Sequence, residues 1–197
     1  MTQSPAAGLP LGLGVFPYTI YATDAAGNVR NCTTSFSVID NTLPNAYFTP
    51  EVTLYVSDIC RVSAGNINLY AFGNDTCGPV VLTQNIPGNT QLTTGVTILG
   101  GTVIDGTGNF VNFNVTLNVL DIIDPVIRCN QNRTIVGVED YYYAVPNLLH
   151  TLFVEDNCGV DSISQYPLPG TELPHGIHNL TFTVIDVHGN QAQCITQ

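Results

Sequence analysis

The sequence predicts an all-β chain of tandem immunoglobulin-like β-sandwiches with an 81-residue repeat, and three observations carry that expectation. One hairpin turn occurs three times, as Asp24-Ala-Ala-Gly27-Asn28, Asp105-Gly-Thr-Gly108-Asn109 and Asp186-Val-His-Gly189-Asn190, spaced by 81 residues both times. A shift of 81 also aligns nearly the whole chain without a gap: Asp40 falls on Asp121, Pro44 on Pro125, Cys77 on Cys158 and Gln84 on Gln165. Such self-similarity at a fixed spacing is the signature of tandem modules. No stretch shows helical periodicity, whereas apolar residues alternate before each turn and strand formers follow it.

Each turn has Gly at its fourth position because a short hairpin loop closes through a residue at positive φ, where a Cβ is strained. The opening Asp is read as structural, its carboxylate accepting backbone N–H groups two or three residues on. In the first strand of the hairpin, Tyr18, Ile20 and Ala22 correspond to Leu99, Gly101 and Val103 and to Leu180, Phe182 and Val184. They form a period-2 inward face, with Thr19, Thr181 and Thr183 pointing out. In the second strand Cys32, Phe113 and Cys194 share one position, and Asn31, Asn112 and Asn114 lie on the opposite, solvent-facing side. Thr53 to Val56, Asn68 to Phe72, Pro79 to Leu82 and Thr97 to Leu99 supply further strands, about seven to a module, which is the count of an immunoglobulin-like sandwich.

A module runs from the Pro after one acidic linker to the next linker. The chain then holds the C-terminal half of a module (1–43), a complete module (44–124) and a module lacking the end of its last strand (125–197). Half a module leaves strand edges bare. Two explanations stay open: the sequence is a window on a longer polyprotein, or a neighbouring subunit supplies the missing strands, giving a head-to-tail homopolymer by strand complementation.

Composition narrows the setting. The chain has no Lys, four Arg and 15 acidic residues, for a formal charge of -11. It would be repelled by phosphate backbones and anionic lipid, which argues against nucleic acid as a partner. No run approaches a membrane span, and Met1 to Ala7 has neither the basic start nor the apolar core of a signal peptide, so a secreted form would have had its leader removed or carried outside this stretch. Six Cys and five sequons, at Asn31, Asn74, Asn114, Asn132 and Asn179, point to an extracellular, N-glycosylated protein.

The repeat itself proposes disulfides. Cys129 corresponds to Phe48 and Cys194 to Phe113, so both thiols are replaced together, as a bonded pair would be. Cys129 with Cys194 would close a loop worth about 4 kcal/mol in the chain-entropy description. Cys60 with Cys77 is the expected second pair. Cys158 and Cys32 are then left over, the first because Tyr141 stands at the counterpart of Cys60, and both invite an intermolecular bond, although Cys32 could equally pair upstream. No CxxC or CxxH spacing supports a metal reading of the thiols.

At these residues the chain resembles the hyalin repeat (HYR) family of extracellular immunoglobulin-like modules. The matching residues are Asp124-Pro125, Cys129, Asp156-Asn157-Cys158, Gly176, Thr181 to Asp186, Gly189-Asn190 and Cys194, and in the first copy Ala22-Thr23-Asp24, Gly27-Asn28, Cys32, Val38 and Asp40. The resemblance implies spacer and adhesion modules of cell-surface, matrix and coat proteins. Departures are the Phe48 and Phe113 positions and Tyr141.

No catalytic constellation is legible, and no nucleophile motif accompanies the Ser, His and Asp residues. No cofactor is expected, although linker acids Asp40, Asp121 and Asp124 are candidates to hold calcium at module junctions. His175-Gly-Ile-His178 lacks a third zinc ligand and is placed in an exposed loop. Tyr141-Tyr-Tyr143 is assigned first to the core, then to an assembly contact or sugar platform. The expected function is a structural subunit of a secreted fibre or surface coat; the alternative is a passive spacer or ligand-binding adhesion module of a larger cell-surface protein.

Overall fold

The computed structural model describes residues 1–136 and 142–197, and it is built almost entirely of strands. These residues group into two compact units. One comprises Met1–Tyr47, Ala71–Thr83 and Thr102–Phe113, and the other Phe48–Tyr70, Gln84–Gly101 and Asn114–Gln197, so the middle module contributes to both.

The first repeat copy is an antiparallel sheet of β1 (Thr2–Ser4), β2 (Gly14–Thr23) and β3 (Val29–Val38), in order β1-β2-β3. The register runs unbroken from Gly14↔Val38 to Thr23↔Val29, with the Asp24 turn at its end. Phe36 stacks between Phe16, 5.8 Å away, and Tyr18, edge-on at 6.3 Å. Ile20 is 39% exposed where its counterpart Phe182 is 1% exposed, because a single three-stranded sheet offers its inner face no second layer.

The middle module contains β4 (Asn45–Phe48), β5 (Glu51–Tyr55), β6 (Val62–Ser63), β7 (Ala71–Asn74), β8 (Val80–Gln84), β9 (Gln91–Leu92), β10 (Gly95–Asp105) and β11 (Phe110–Leu120). Its main sheet has the order β5-β11-β10-β8, with the pairs β4-β7 and β6-β9 beside it. β5 runs parallel to β11, from Thr116↔Glu51 to Leu120↔Tyr55. The period-2 inward face is real: Leu99, Val103, Val115 and Leu117 are fully buried.

The third module repeats the plan with β12 (Val126–Arg128), β13 (Tyr142–Ala144), β14 (Phe153–Glu155), β15 (Val160–Tyr166), β16 (Glu172–Pro174), β17 (Leu180–Asp186) and β18 (Gln191–Thr196). Its sheets are β15-β17-β18, β12-β14 and β13-β16. Segment 132–136, the counterpart of β5, is not a strand; it meets the end of the chain through Arg133 N–H to the Gln197 carbonyl at 2.8 Å and through Asn132 Oδ1, which accepts the Gln197 N–H at 3.1 Å and the Thr196 hydroxyl at 3.3 Å.

Two differences from the strand expectation have local causes. Asn68 and Leu69 lie in a 3-10 turn, Ile67–Leu69, and strand resumes only at Ala71. The Asn66 side chain accepts the Asn68 N–H at 3.0 Å and Gln84 Oε1 accepts the Ile67 N–H at 2.5 Å, so side-chain caps override strand propensity. Gln165, 3% exposed, does the same one repeat later, taking the Leu148 N–H at 2.9 Å and donating to the Pro146 carbonyl. The tyrosine run is not core where it is described: Tyr142 and Tyr143 are exposed on β13, and Tyr141 lies outside the described residues.

The disulfides also correct the sequence reading. Cys129 is joined to Cys194, but Cys60 is bonded to Cys158 and not to Cys77; Cys32 and Cys77 are the free, exposed thiols among the described residues. Cys60 sits in the tight Ser57–Arg61 loop of the middle module and Cys158 in the loop between β14 and β15 of the third, their Cα atoms 4.9 Å apart. The bond therefore runs from one module to the next. Its partner position is displaced by one repeat from where a bond inside a module would fall, which is why Tyr141 has no bearing on Cys158.

Two measurements check this fold. Peptide mapping without reduction is expected to recover Cys60–Cys158 and Cys129–Cys194 linked peptides and alkylated Cys32 and Cys77; a Cys60–Cys77 peptide would contradict it. Phe182→Ala, at a site 1% exposed, is expected to lower unfolding free energy by about 3–5 kcal/mol in urea melts.

Candidate functional site

The hairpin turns are built identically. In each, the Asp backbone N–H donates to the Asn carbonyl at 3.0 Å, and the Gly N–H returns to the Asp carbonyl. Gly27, Gly108 and Gly189 have φ of 87°, 99° and 92°, the left-handed geometry the sequence required. One carboxylate oxygen of Asp24, Asp105 and Asp186 accepts backbone N–H groups two and four residues on. The other accepts the side-chain amide of Asn28, Asn109 or Asn190, at 2.9, 2.8 and 2.7 Å.

This network fixes the charge state. The Asn28 side-chain amide, followed by the Asn28 backbone N–H, holds Asp24 below its ordinary value of 3.8. Burial would push Asp105 up, but the Asn109 amide, the Thr107 hydroxyl and the Thr107 and Asn109 N–H groups outweigh it and bring it to about 2. Burial likewise opposes the Asn190 amide and the His188 and Asn190 N–H groups at Asp186, with the same lowered result.

In the two later copies the turn reaches the linker before it. Asn109 Nδ2 donates to the Asp40 carbonyl at 3.2 Å, and Asn190 Nδ2 to the Asp121 carbonyl at 3.3 Å. A third acid joins each pair from the Asp-x-Cys loop, Asp75 or Asp156. Asp40, Asp75 and Asp105 each bring one carboxylate oxygen within 4.8 Å of the others, and so do Asp121, Asp156 and Asp186. Every member is displaced by 81 residues from its equivalent. The Thr42 hydroxyl and backbone N–H hold Asp40 below 3.8.

Several oxygens in these groups are buried without a hydrogen bond: Asp75 Oδ1, Asp121 Oδ2, Asp156 Oδ2 and Asn157 Oδ1. Asp121, 7% exposed, accepts the Ile123 N–H and the Asn157 amide on its other oxygen. His188 Nδ1 lies 3.2 Å from Asp121 Oδ2, outside hydrogen-bonding geometry, while its Nε2 meets Thr94 Oγ1 at 2.9 Å. The Cys158 sulfur near Asp121 is already spent in the disulfide.

Of the sequence candidates, Asp40 and Asp121 are therefore drawn into clusters, whereas Asp124 is exposed and joins neither. Asp75 and Asp156 were missed as candidates. The signal was available: under the 81-residue shift Asp falls on Asp at three positions only, 24/105/186, 40/121 and 75/156. His178 hydrogen-bonds the Pro174 carbonyl at 2.7 Å, and neither it nor His175 enters a metal-type group among the described residues. Asn31, Asn74, Asn114, Asn132 and Asn179 are all exposed.

Residues 120–197 match the HYR domain family. That segment is an HYR domain. Two relatives are hyalins, from Strongylocentrotus purpuratus, 26% identical over 96% of this chain and 16% of the relative, and from Lytechinus variegatus, 26% identical over 97% of this chain and 36% of the relative. The chain thus spans well under half the length of either. Among solved structures, the human desmocollin-1 ectodomain aligns with TM-score 0.28 and 13% identity over 92% of this chain and 43% of that one. The protocadherin gammaB7 EC3-6 chain aligns with TM-score 0.34 and 15% identity over 92% of this chain and 57% of that one. Superpositions of that quality fix neither topology nor function.

The exposed turn copy offers a clean titration. Asp24 is expected to titrate below 3.8 in carboxyl NMR, and Asn28→Ala to move its midpoint toward that value. Because the folded value is depressed, the stabilisation is present above the unfolded midpoint and is lost as pH falls through the folded one.

Proposed function

We propose that this chain is a non-enzymatic structural subunit of an extracellular fibre or surface coat, secreted and N-glycosylated, in which modules follow one another end to end. The observation that carries the reading is the joint between the middle and third modules. The Cys60–Cys158 bond crosses it, Asn157 Nδ2 donates to the Ser57 carbonyl at 3.2 Å, and the Asn190 amide ties the third hairpin to the linker carbonyl of Asp121. A covalent bond and hydrogen bonds at one joint restrict bending, which suits a spacer or rod better than a hinged enzyme. Similarity to the hyalins supports an extracellular, adhesion-type role, and two disulfides fit an oxidising compartment. No helix among the described residues is long and apolar enough to cross a membrane.

The finer reading includes head-to-tail association of the chain with itself. Segment 132–136 leaves a groove of about 390 Å³ beside it, lined by Ile135, Tyr143, Leu173 and Ile177 among others. The strand that would run along it, as β11 runs along β5, would come from continuation of the chain or from a neighbouring subunit. N-linked glycans on the five exposed asparagines would cover the outer strands.

Electron microscopy of protein secreted from eukaryotic cells, with reducing and non-reducing gels before and after enzymatic removal of N-glycans, tests this. Filaments that denature to short glycosylated chains are expected. Dispersed monomers would overturn the fibre and leave a passive spacer or adhesion module; an unglycosylated product would overturn the glycoprotein reading.

A further inference from the structure

We propose that Asn74 carries an N-linked glycan whose first N-acetylglucosamine lies on the ring of Phe72, so that this sugar is a packed part of the middle module. The sequon Asn74-Asp75-Thr76 follows Phe72 by two residues, and of the five sequons it alone has an aromatic at that spacing. Side chains two apart share a face of a strand, and Phe72 and Asn74 are both exposed on β7. Gly73 between them turns the other way. A Cβ built on it would stand 2.6 Å from a methyl of Val103, which is fully buried, so the inner face of β7 belongs to the core and its neighbours point outward.

Two independent observations concern the ring itself. Phe72 is 64% exposed yet held in place: Tyr47 of β4 stacks on it with centroids 4.9 Å apart and planes 13° from parallel, which covers one face and leaves the other to solvent. Beside this pair Asn45 Nδ2 donates to Asn74 Oδ1 at 3.3 Å, a contact that does not use the Asn74 nitrogen to which a sugar is joined. The third module shows the same face without a sequon. Phe153 stands at the position of Phe72, Arg128 at that of Tyr47 and Glu155 at that of Asn74. There Arg128 pairs opposite Phe153 across β12 and β14, and its guanidinium lies over the ring, 5.4 Å from the centroid. Where no glycan can be attached the chain caps the ring with its own cation, and where one can the ring is left open. Attachment joins Asn74 Nδ2 to C1 of the sugar, with loss of one amide proton and departure of the diphosphate-linked lipid carrier that brings it. The ring hydroxyls of N-acetylglucosamine are equatorial, so its broad faces are axial C–H, which the negative face of an aromatic ring attracts. Because Tyr47 already holds Phe72, little rotamer freedom is lost on contact.

The proposal rests on the reading of the chain as N-glycosylated, and the experiment separates the two. The whole chain, secreted from eukaryotic cells, is trimmed enzymatically to one N-acetylglucosamine at each occupied site, and glycopeptide mass spectrometry reads occupancy site by site. Asn74 is expected to be occupied, with its sugar-ring protons upfield of those at the other sites in NMR, as the Phe72 ring current requires. Thr76→Ala removes the sequon without touching Phe72 and is expected to lower Tm by about 2–4 °C, the shift of one aromatic contact in a chain of this length. In a Phe72→Ala background, tolerated because the side chain is exposed, the same deletion is expected to leave Tm unchanged. A glycan that only solubilises would give equal losses in both backgrounds. Equal losses, sugar protons at ordinary positions, or a bare Asn74 beside occupied sites elsewhere would each overturn this inference alone, whereas five bare asparagines would overturn the glycoprotein reading with it. Phe72 ring signals that respond to dilution of the protein and not to removal of the sugar would assign the aromatic pair to a second copy of the chain and overturn it as well.

Discussion

The side-chain amide of the asparagine that ends each hairpin turn is the contact on which the entrance of the later modules depends. Asn109 and Asn190 each use one nitrogen to bind the turn carboxylate and, in the same fan of donors, the backbone carbonyl of the linker aspartate. The first interaction closes the loop and keeps Asp105 or Asp186 ionised. The second positions Asp40 or Asp121 over it. An acceptor-only side chain could not do both, because the two contacts use two N–H bonds on a single nitrogen. Asn28 makes the turn contact with Asp24 as well, so the turn itself does not require the linker.

Rigidity is then added at different levels in successive copies. In the third module a disulfide joins its first and last strands, Cys129 to Cys194, and Thr196 Oγ1 reaches the Asn130 carbonyl at 3.2 Å. The middle module has no such bond and relies on its core, where Phe113 is buried at the position of Cys194 while Phe48, at the position of Cys129, is 41% exposed. The Cys60–Cys158 bond belongs to neither core but to the step between modules. Removing water from alternating aliphatic residues stabilises each sandwich; the sulfur bridges limit how the chain can come apart.

The fold was legible because both of its periods are written plainly. Alternation placed Leu99, Val103, Phe182 and Val184 inside, and the 81-residue shift carried that assignment from copy to copy. The 3-10 turns were hidden because a single side chain decides them: Gln84 and Gln165 aligned under the shift, but alignment alone does not say that an amide will capture a backbone N–H across the module. Cys60 with Cys158 was misread for a related reason. Joint replacement identifies a pair inside one repeat, whereas a bond between consecutive repeats pairs two positions whose counterparts lie one module apart.

The acid clusters were half legible for a geometric reason. Linker and turn carboxylates stand out because Pro and Gly mark their neighbourhoods; Asp75 and Asp156 sit in a short Asp-x-Cys-Gly loop that also reads as a turn, but nothing local says that its acid meets the linker. What unites the three is the sandwich itself: the linker enters, the hairpin turns and the loop after β7 or β14 reverses at the same end of a module. Acids retained at all three places converge there whatever the sequence distance between them. A repeat therefore places its chemistry by equivalence of position.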